Sequence, residues 1–209
     1  MSELGPGESV IDWLSSRRSI RRYENRAVPE ETLKLLLEAA IWAPSAHNRQ
    51  PWRFAVLTDP ELKRKLASSM GQRLQSDLSA DGLAPAQIEA DVNRSYQRLT
   101  TAPALIVVAV SMADMDRYPD QKRQENEWLM AVQSTAMAGL NILLSAHALG
   151  LGACWMCGPL FCPETVKAVL GLDKSWQPQG LITIGYPAKN KTKSRKPLEE
   201  VVRFCDPDY

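Results

Sequence analysis

The sequence predicts an α+β fold: a small mixed or antiparallel sheet flanked by helices, with a long buried central helix. Three observations carry that expectation. Leu33, Leu36, Leu37, Ala40 and Ile41 recur at helical spacing. Residues 104–110 form an unbroken, valine-rich apolar run, as expected of a strand covered on both faces. Residues 125–149 are apolar on most sides, through Met130, Val132, Ala136, Met137, Leu140, Leu143 and Leu144, which suits a helix in the middle of a fold.

The elements follow in order. Residues 10–17 read as a short helix with Val10, Ile11 and Leu14 on one side. Pro29, in the favoured first-turn position, opens the next helix, which must end before Pro44. Residues 53–57 alternate as a strand and stop at Asp59-Pro60. Two polar-rich helices, 61–78 and 85–99, are separated by the turn signal Asp81-Gly82. Beyond the central helix, 150–156 and 180–185 complete the strands, with a short helix at 163–170 between them. The tail from Lys189 is charged and aperiodic.

At 209 residues and 44% hydrophobic, the chain can bury one substantial core, so one domain spanning 1–209 is expected. A net charge of +1 provides no global basic field for nucleic acid. No apolar run reads as a membrane span and the polar N-terminus lacks a signal-peptide core, so a cytoplasmic protein is expected. Four cysteines, unevenly spread, do not make a disulfide framework.

Four segments carry candidate chemistry. Arg17-Arg18-Ser19-Ile20-Arg21 is a compact anion clamp, because the rigid guanidinium fork matches phosphate. It reads equally as a basic helix end set against the helix dipole. The 44–52 loop holds Ser45, Asn48 and Gln50, which can both donate and accept, between two prolines and Trp52. Such groups suit the pyrimidine edge of a flavin; the plainer reading is a helix stop and turn. His47 sits in this loop, whereas His147 lies on the apolar helix as core or interface. The run 150–159 contains Cys154 and Cys157 in a C-x-x-C, with Cys162 nearby, a poor match to a zinc or iron–sulfur site. Its glycines would let backbone approach a flat ligand. Lys189, Lys191, Lys193, Arg195 and Lys196 form a basic tail, either solvated or a second contributor to a phosphate pocket.

Taken in order, the 17–21 pentad, the 44–52 loop, the glycine-rich strand ending at Gly158 and Lys193-Ser194-Arg195 resemble the FMN-dependent nitroreductase family over nearly the whole chain. The resemblance implies a nitroreductase-like α+β homodimer with FMN at the interface. It implies that Arg17, Arg18, Ser19 and Arg21, joined by Lys193 and Arg195, hold the FMN phosphate and ribityl chain. Pro44, Ser45, Ala46, His47 and Asn48 would reach the flavin from the other subunit. Backbone of Trp155, Met156, Cys157 and Gly158 would lie beside the isoalloxazine. Ser95 and Arg98 would stand where relatives carry an Asn and a Lys at the pyrimidine end; many members have an acidic residue where Cys157 stands.

The implied activity carries a hydride from a reduced donor, NADH or NADPH, through flavin N5 to a small acceptor such as a nitroaromatic or quinone, in ping-pong order. The chemistry resides in the FMN, so no catalytic side chain and no metal is expected. Within the family the chain most resembles the flavin domain of deazaflavin-coenzyme γ-glutamyl ligases, through Arg49, Tyr118-Pro119-Asp120 and the cysteine-rich run. A deazaflavin, or its dehydro precursor, is therefore an alternative partner, with Arg49, Lys122 and Arg123 meeting its acidic tail or serving as ordinary surface charges. A non-catalytic flavin-binding protein is a further alternative, as is oxidative breakdown of flavin to a benzimidazole.

Overall fold

A computed structural model describes residues 6–189 and 194–205. Its order is α1 (Pro6–Ser16), α2 (Glu30–Ile41), β1 (Trp52–Leu57), α3 (Pro60–Ala80), α4 (Pro85–Thr100), β2 (Ala104–Ser111), α5 (Gln121–Ala148), β3 (Gly152–Met156), α6 (Gly158–Phe161), α7 (Pro163–Leu170) and β4 (Trp176–Gly185), with 3-10 turns at Ala46–Asn48 and Leu198–Glu200.

The four strands lie in the order β1-β2-β4-β3 and every pairing is antiparallel. Alternation of side chains along each strand divides the core in two. Trp52, Ile106, Val108, Ala153, Ile182 and Ile184 face a layer supplied by α2 and α5. Leu57, Leu105, Val107 and Leu181 face α3, α4 and α7 through Leu66, Met70, Leu99 and Val166. Strand β2, at the centre, is buried at every position. This is the signature of a strand covered on both faces, as its unbroken apolar run foretold.

Capping explains the helix starts. Asp59 accepts from Leu62 N at 2.7 Å ahead of α3, and Asp120 from Arg123 N at 2.9 Å ahead of α5. Pro29 stands at the N-cap of α2 rather than inside it, one position earlier than its first-turn reading. Gly150, at φ 71°, ends α5: Leu151 N bonds Ala146 O at 2.8 Å across it.

Helix α5 departs from the expectation of burial on most sides. Its buried face consists of small and polar residues, Ala131, Ser134, Thr135, Ala138, Gly139 and Ala146, with Ile142 and Glu127. The larger side chains Leu129, Met137 and Leu140 are exposed, with Trp128 at the margin. Small residues let the helix sit close on the sheet, and the bulky ones point away from it. By length and composition α5 is the one described helix apolar enough to cross a membrane, contrary to the reading of its sequence. Its packing against β1, β2, β3 and β4 accounts for its apolar face as core.

Candidate functional site

The 17–23 segment leaves α1 and runs along the outer edge of β3. Ile20 N donates to Ala153 O at 3.0 Å, and isolated bridges join Ser19 to Ala153 and Tyr23 to Pro187. Gly152 is required here, because a Cβ on it would fall 2.7 Å from Ile20. Tyr23 fastens the segment: its hydroxyl donates to Ile20 O at 2.6 Å and accepts from the Thr183 hydroxyl at 2.7 Å. Burial pushes the Tyr23 phenol well above its ordinary value. No sequence signal marks Tyr23, since its role depends on Thr183 in another strand.

This anchoring places the arginines. Arg17 and Arg18 line a cleft of about 480 Å³ with Ser16, Ile20, Leu143, His147, Gly150 to Ala153 and Pro187. Arg18 Nη1 donates to Arg17 O at 2.9 Å and to Ser15 O, so part of this guanidinium caps α1. Arg17 Nη1 and Arg18 Nε are buried without a hydrogen-bond partner. Buried donors of this kind are normally satisfied, and a bound anion would satisfy these.

Arg17, Ser19, Arg21 and Arg98 also converge on Cys154. Burial raises the Cys154 thiol above its ordinary value, while Arg21, Arg98, a Ser19 hydrogen bond and Arg17 pull it down. Ser95 and Arg98 share one face of α4, both half-buried. Burial, then the charges of Arg21 and Arg94, lower the Arg98 value. Residues far apart in the chain thus form one basic edge beside β3.

The 44–52 loop lies elsewhere. Ala46 N donates to Ser134 Oγ at 3.2 Å, whereas the arginine cleft meets α5 at His147. Those thirteen residues of helix correspond to about 20 Å. Within one chain the structure therefore does not bring Pro44, Ser45, Ala46, His47 and Asn48 to the arginines. Ser45 Oγ accepts from Gln50 N at 3.1 Å and closes the loop. His47, Asn48 and Gln50 adopt φ of 50°, 53° and 50°, a left-handed conformation concentrated in four residues. Such strain persists where surroundings over-determine it, and it clusters at functional sites.

Trp155 is wedged in the core, where a Cβ at Gly139 or Gly180 would fall 2.3 or 2.4 Å from its ring. The ring is partly buried, and these two glycines leave room for it. The glycines of the 150–158 run serve the fold locally: Gly150 turns, Gly152 clears Ile20, and Gly158 abuts Met70. Met156 packs on the α3–α7 layer, and Cys157 is exposed at the end of β3. By strand alternation the backbone of Trp155, like that of Ala153, points away from β4. All four cysteines are free, and no metal-binding cluster occurs among the described residues.

His147 is half-buried, with Nε2 2.8 Å from Ser16 Oγ and its ring 5.4 Å from Trp13. Arg49 pairs with Asp116 at 2.5 Å, and Arg123 pairs with Asp120 and covers Tyr118. Both ion pairs lie at the surface, with the two arginine side chains substantially exposed. Arg195 is exposed, with Nη1 3.2 Å from Ser194 O. Lys191 and Lys193 lie outside the described residues.

Comparison with known proteins follows the same lines. A family model described as the nitroreductase family matches residues 14–186. A Thermus thermophilus protein named NADH dehydrogenase is 37% identical over 89% of this chain and 91% of its own length. A Desulfovibrio desulfuricans structure solved in complex with FMN is 30% identical, with a TM-score of 0.72, covering 95% of this chain and 96% of that one. A BluB-like flavoprotein from Clostridium difficile is 25% identical, with a TM-score of 0.77, covering 94% and 99%.

Proposed function

This chain belongs to the nitroreductase family, and we propose that it works as an FMN-dependent oxidoreductase taking a hydride from NADH or NADPH to a small acceptor such as a nitroaromatic or quinone. One observation carries the cofactor assignment. Arg17 and Arg18 line a cleft whose volume suits a small-molecule site, and each carries a buried guanidinium nitrogen, Nη1 and Nε respectively, without a partner. Arg17 and Arg18 would find the missing acceptors in the FMN phosphate. Bound there, FMN provides the two-electron redox chemistry that the side chains do not.

The residues of the chain do the rest. Arg17, Arg18 and Ser19 hold the phosphate end, and Lys193 and Arg195 join them. Arg21 and Arg98 bring positive charge to the pyrimidine end, where negative charge develops on reduction; Ser95 lines the same face of α4. Backbone from Trp155 to Gly158, outward-pointing at Trp155, would lie along the ring. Tyr23 acts as a positioning residue that keeps the arginines on the sheet edge.

The protein acts as a homodimer. The 44–48 loop and the arginine cleft sit at opposite parts of α5, and the exposed residues Trp128, Leu129, Met137 and Leu140 give that helix an apolar outer surface. Pairing two copies through α5 covers this surface and brings Pro44, Ser45, Ala46, His47 and Asn48 to the partner's cofactor. Four free cysteines, two of them buried, suit a single-domain enzyme of the reducing cytoplasm. Nicotinamide donors are preferred here because a relative of this chain is named NADH dehydrogenase, with a deazaflavin met by Arg49, Lys122 and Arg123 as the alternative.

Anaerobic titration of the FMN-loaded protein with NADH, NADPH and a reduced deazaflavin tests the donor. Rapid bleaching of the flavin band by a nicotinamide, followed by reoxidation with a quinone or nitroaromatic, is expected. Bleaching by the deazaflavin alone would shift the assignment to that partner, and bleaching by none would leave a flavin-binding protein.

A further inference from the structure

A second cleft, of about 370 Å³, lies between the 17–23 segment and α4, lined by Arg21, Arg22, Arg94, Gln97, Arg98 and Thr101. Four of its six lining residues are arginines and none is acidic. Arg94 pairs with Asp91 in the preceding turn, and no ion pair engages the other three among the described residues. Like charges brought together without counter-charge are costly, and such clefts raise the local concentration of anions.

The four arginines are not equivalent. Arg21 and Arg98 are half-buried and serve the cofactor in the reading above. Arg22 and Arg94 are exposed on the outer part of the same cleft, with no cofactor to explain them. No aliphatic or aromatic residue lines this cleft, so it has little to offer a neutral hydrocarbon group. Two guanidinium forks beside a glutamine amide and a threonine hydroxyl match a carboxylate or phosphate.

We propose that Arg22 and Arg94, with Gln97, anchor a carboxylate or phosphate on the substrate that reacts at the neighbouring cofactor, so that anionic substrates are selected over neutral ones. This inference rests on the oxidoreductase reading. The anion can belong to the acceptor, as an aromatic carboxylate, or to the donor, as the additional phosphate that distinguishes NADPH from NADH. Both are held by the same chemistry. Because the two arginines are exposed, salt weakens the selection.

The test uses the FMN-loaded protein and the double variant Arg22→Gln/Arg94→Gln at low ionic strength. Two ratios of kcat/KM are measured: 4-nitrobenzoate over nitrobenzene, and NADPH over NADH. Calorimetric affinities for 4-nitrobenzoate and NADP+ are measured on the oxidised protein, with flavin content recorded for each preparation. At least one ratio is expected to fall about tenfold or more, with a matching loss of affinity for that anion. The ratio that falls identifies which substrate carries the anchored group. Ratios and affinities unchanged within twofold in both arms would overturn the proposal, and so would loss of FMN from the double variant, which would assign the cleft to the cofactor. A wild-type protein that takes up no FMN would overturn the oxidoreductase reading, and this site with it.

Discussion

Replacing Arg17 by alanine separates cofactor binding from folding, because its Nη1 is buried without a partner within the protein. A hydrogen bond to a charged group contributes about 1.5–3 kcal/mol, so losing it should weaken FMN binding about 10- to 150-fold. The apo protein loses no hydrogen bond at that atom and sheds a buried unsatisfied donor. Its stability should therefore hold or rise. The two effects can be read in one thermal-shift experiment. At FMN equal to about 100 times the wild-type Kd, binding adds about 2.7 kcal/mol. For a chain of this size that is about 5–11 °C in Tm. At the same FMN concentration the variant should gain about 0.3–1.3 kcal/mol, or about 1–5 °C. A variant Kd within twofold of wild type would refute the reasoning. So would an apo Tm lowered in proportion to the lost binding, which would make Arg17 structural.

Three further outcomes follow from the packing. Gly180→Ala places a Cβ 2.4 Å from the Trp155 ring and should cost about 1–3 kcal/mol by overpacking, read as a lowered denaturation midpoint; a neutral result would show that the indole is free to move. Tyr23→Phe should cost about 1–3 kcal/mol near neutral pH by leaving the Ile20 and Thr183 partners unpaired. The native phenol holds its proton where the unfolded one loses it, so this stabilisation is complete below about pH 10 and declines as pH rises beyond. Denaturant titrations from pH 8 to 11 should show a steeper decline in wild type than in Tyr23→Phe, where only the buried thiols still contribute. Leu140→Glu puts charge on the exposed apolar face of α5 and should yield a monomer with reduced FMN content by light scattering and absorbance; a dimer retaining full flavin would place the interface elsewhere.

Much of this architecture is legible in the sequence because it follows from local periodicity. The valine run of β2, the leucines of α2 and the Asp-Gly turn before α4 each declare their structure within a few residues. Helix α5 is legible in extent but not in orientation. Its composition is apolar on most sides, and only the sheet decides that the alanines go inward and Leu129, Met137 and Leu140 outward. Gly139 and Gly180 carry no local signal, because making room for Trp155 depends on a side chain distant in sequence.

The candidate site divides the same way. The 17–21 pentad is a contiguous motif, and its arginines prove to line a cleft with buried unsatisfied donors. Tyr23, Arg22 and Arg94 carry no such signal, because the fold alone brings them to Thr183 or to a shared cleft. Surface cations such as Arg49 and Arg123 prove to be ion-paired at the surface. Their acidic partners, Asp116 and Asp120, lie in another segment or the preceding turn.

The central claim is that the basic edge of β3 holds FMN. Its most direct test is the absorbance spectrum of the purified protein, followed by titration of the stripped protein with FMN. Under this claim, flavin bands near one FMN per chain are expected, with the affinity for FMN weakened about 10- to 150-fold in Arg17→Ala. A colourless protein that binds no added FMN would contradict it.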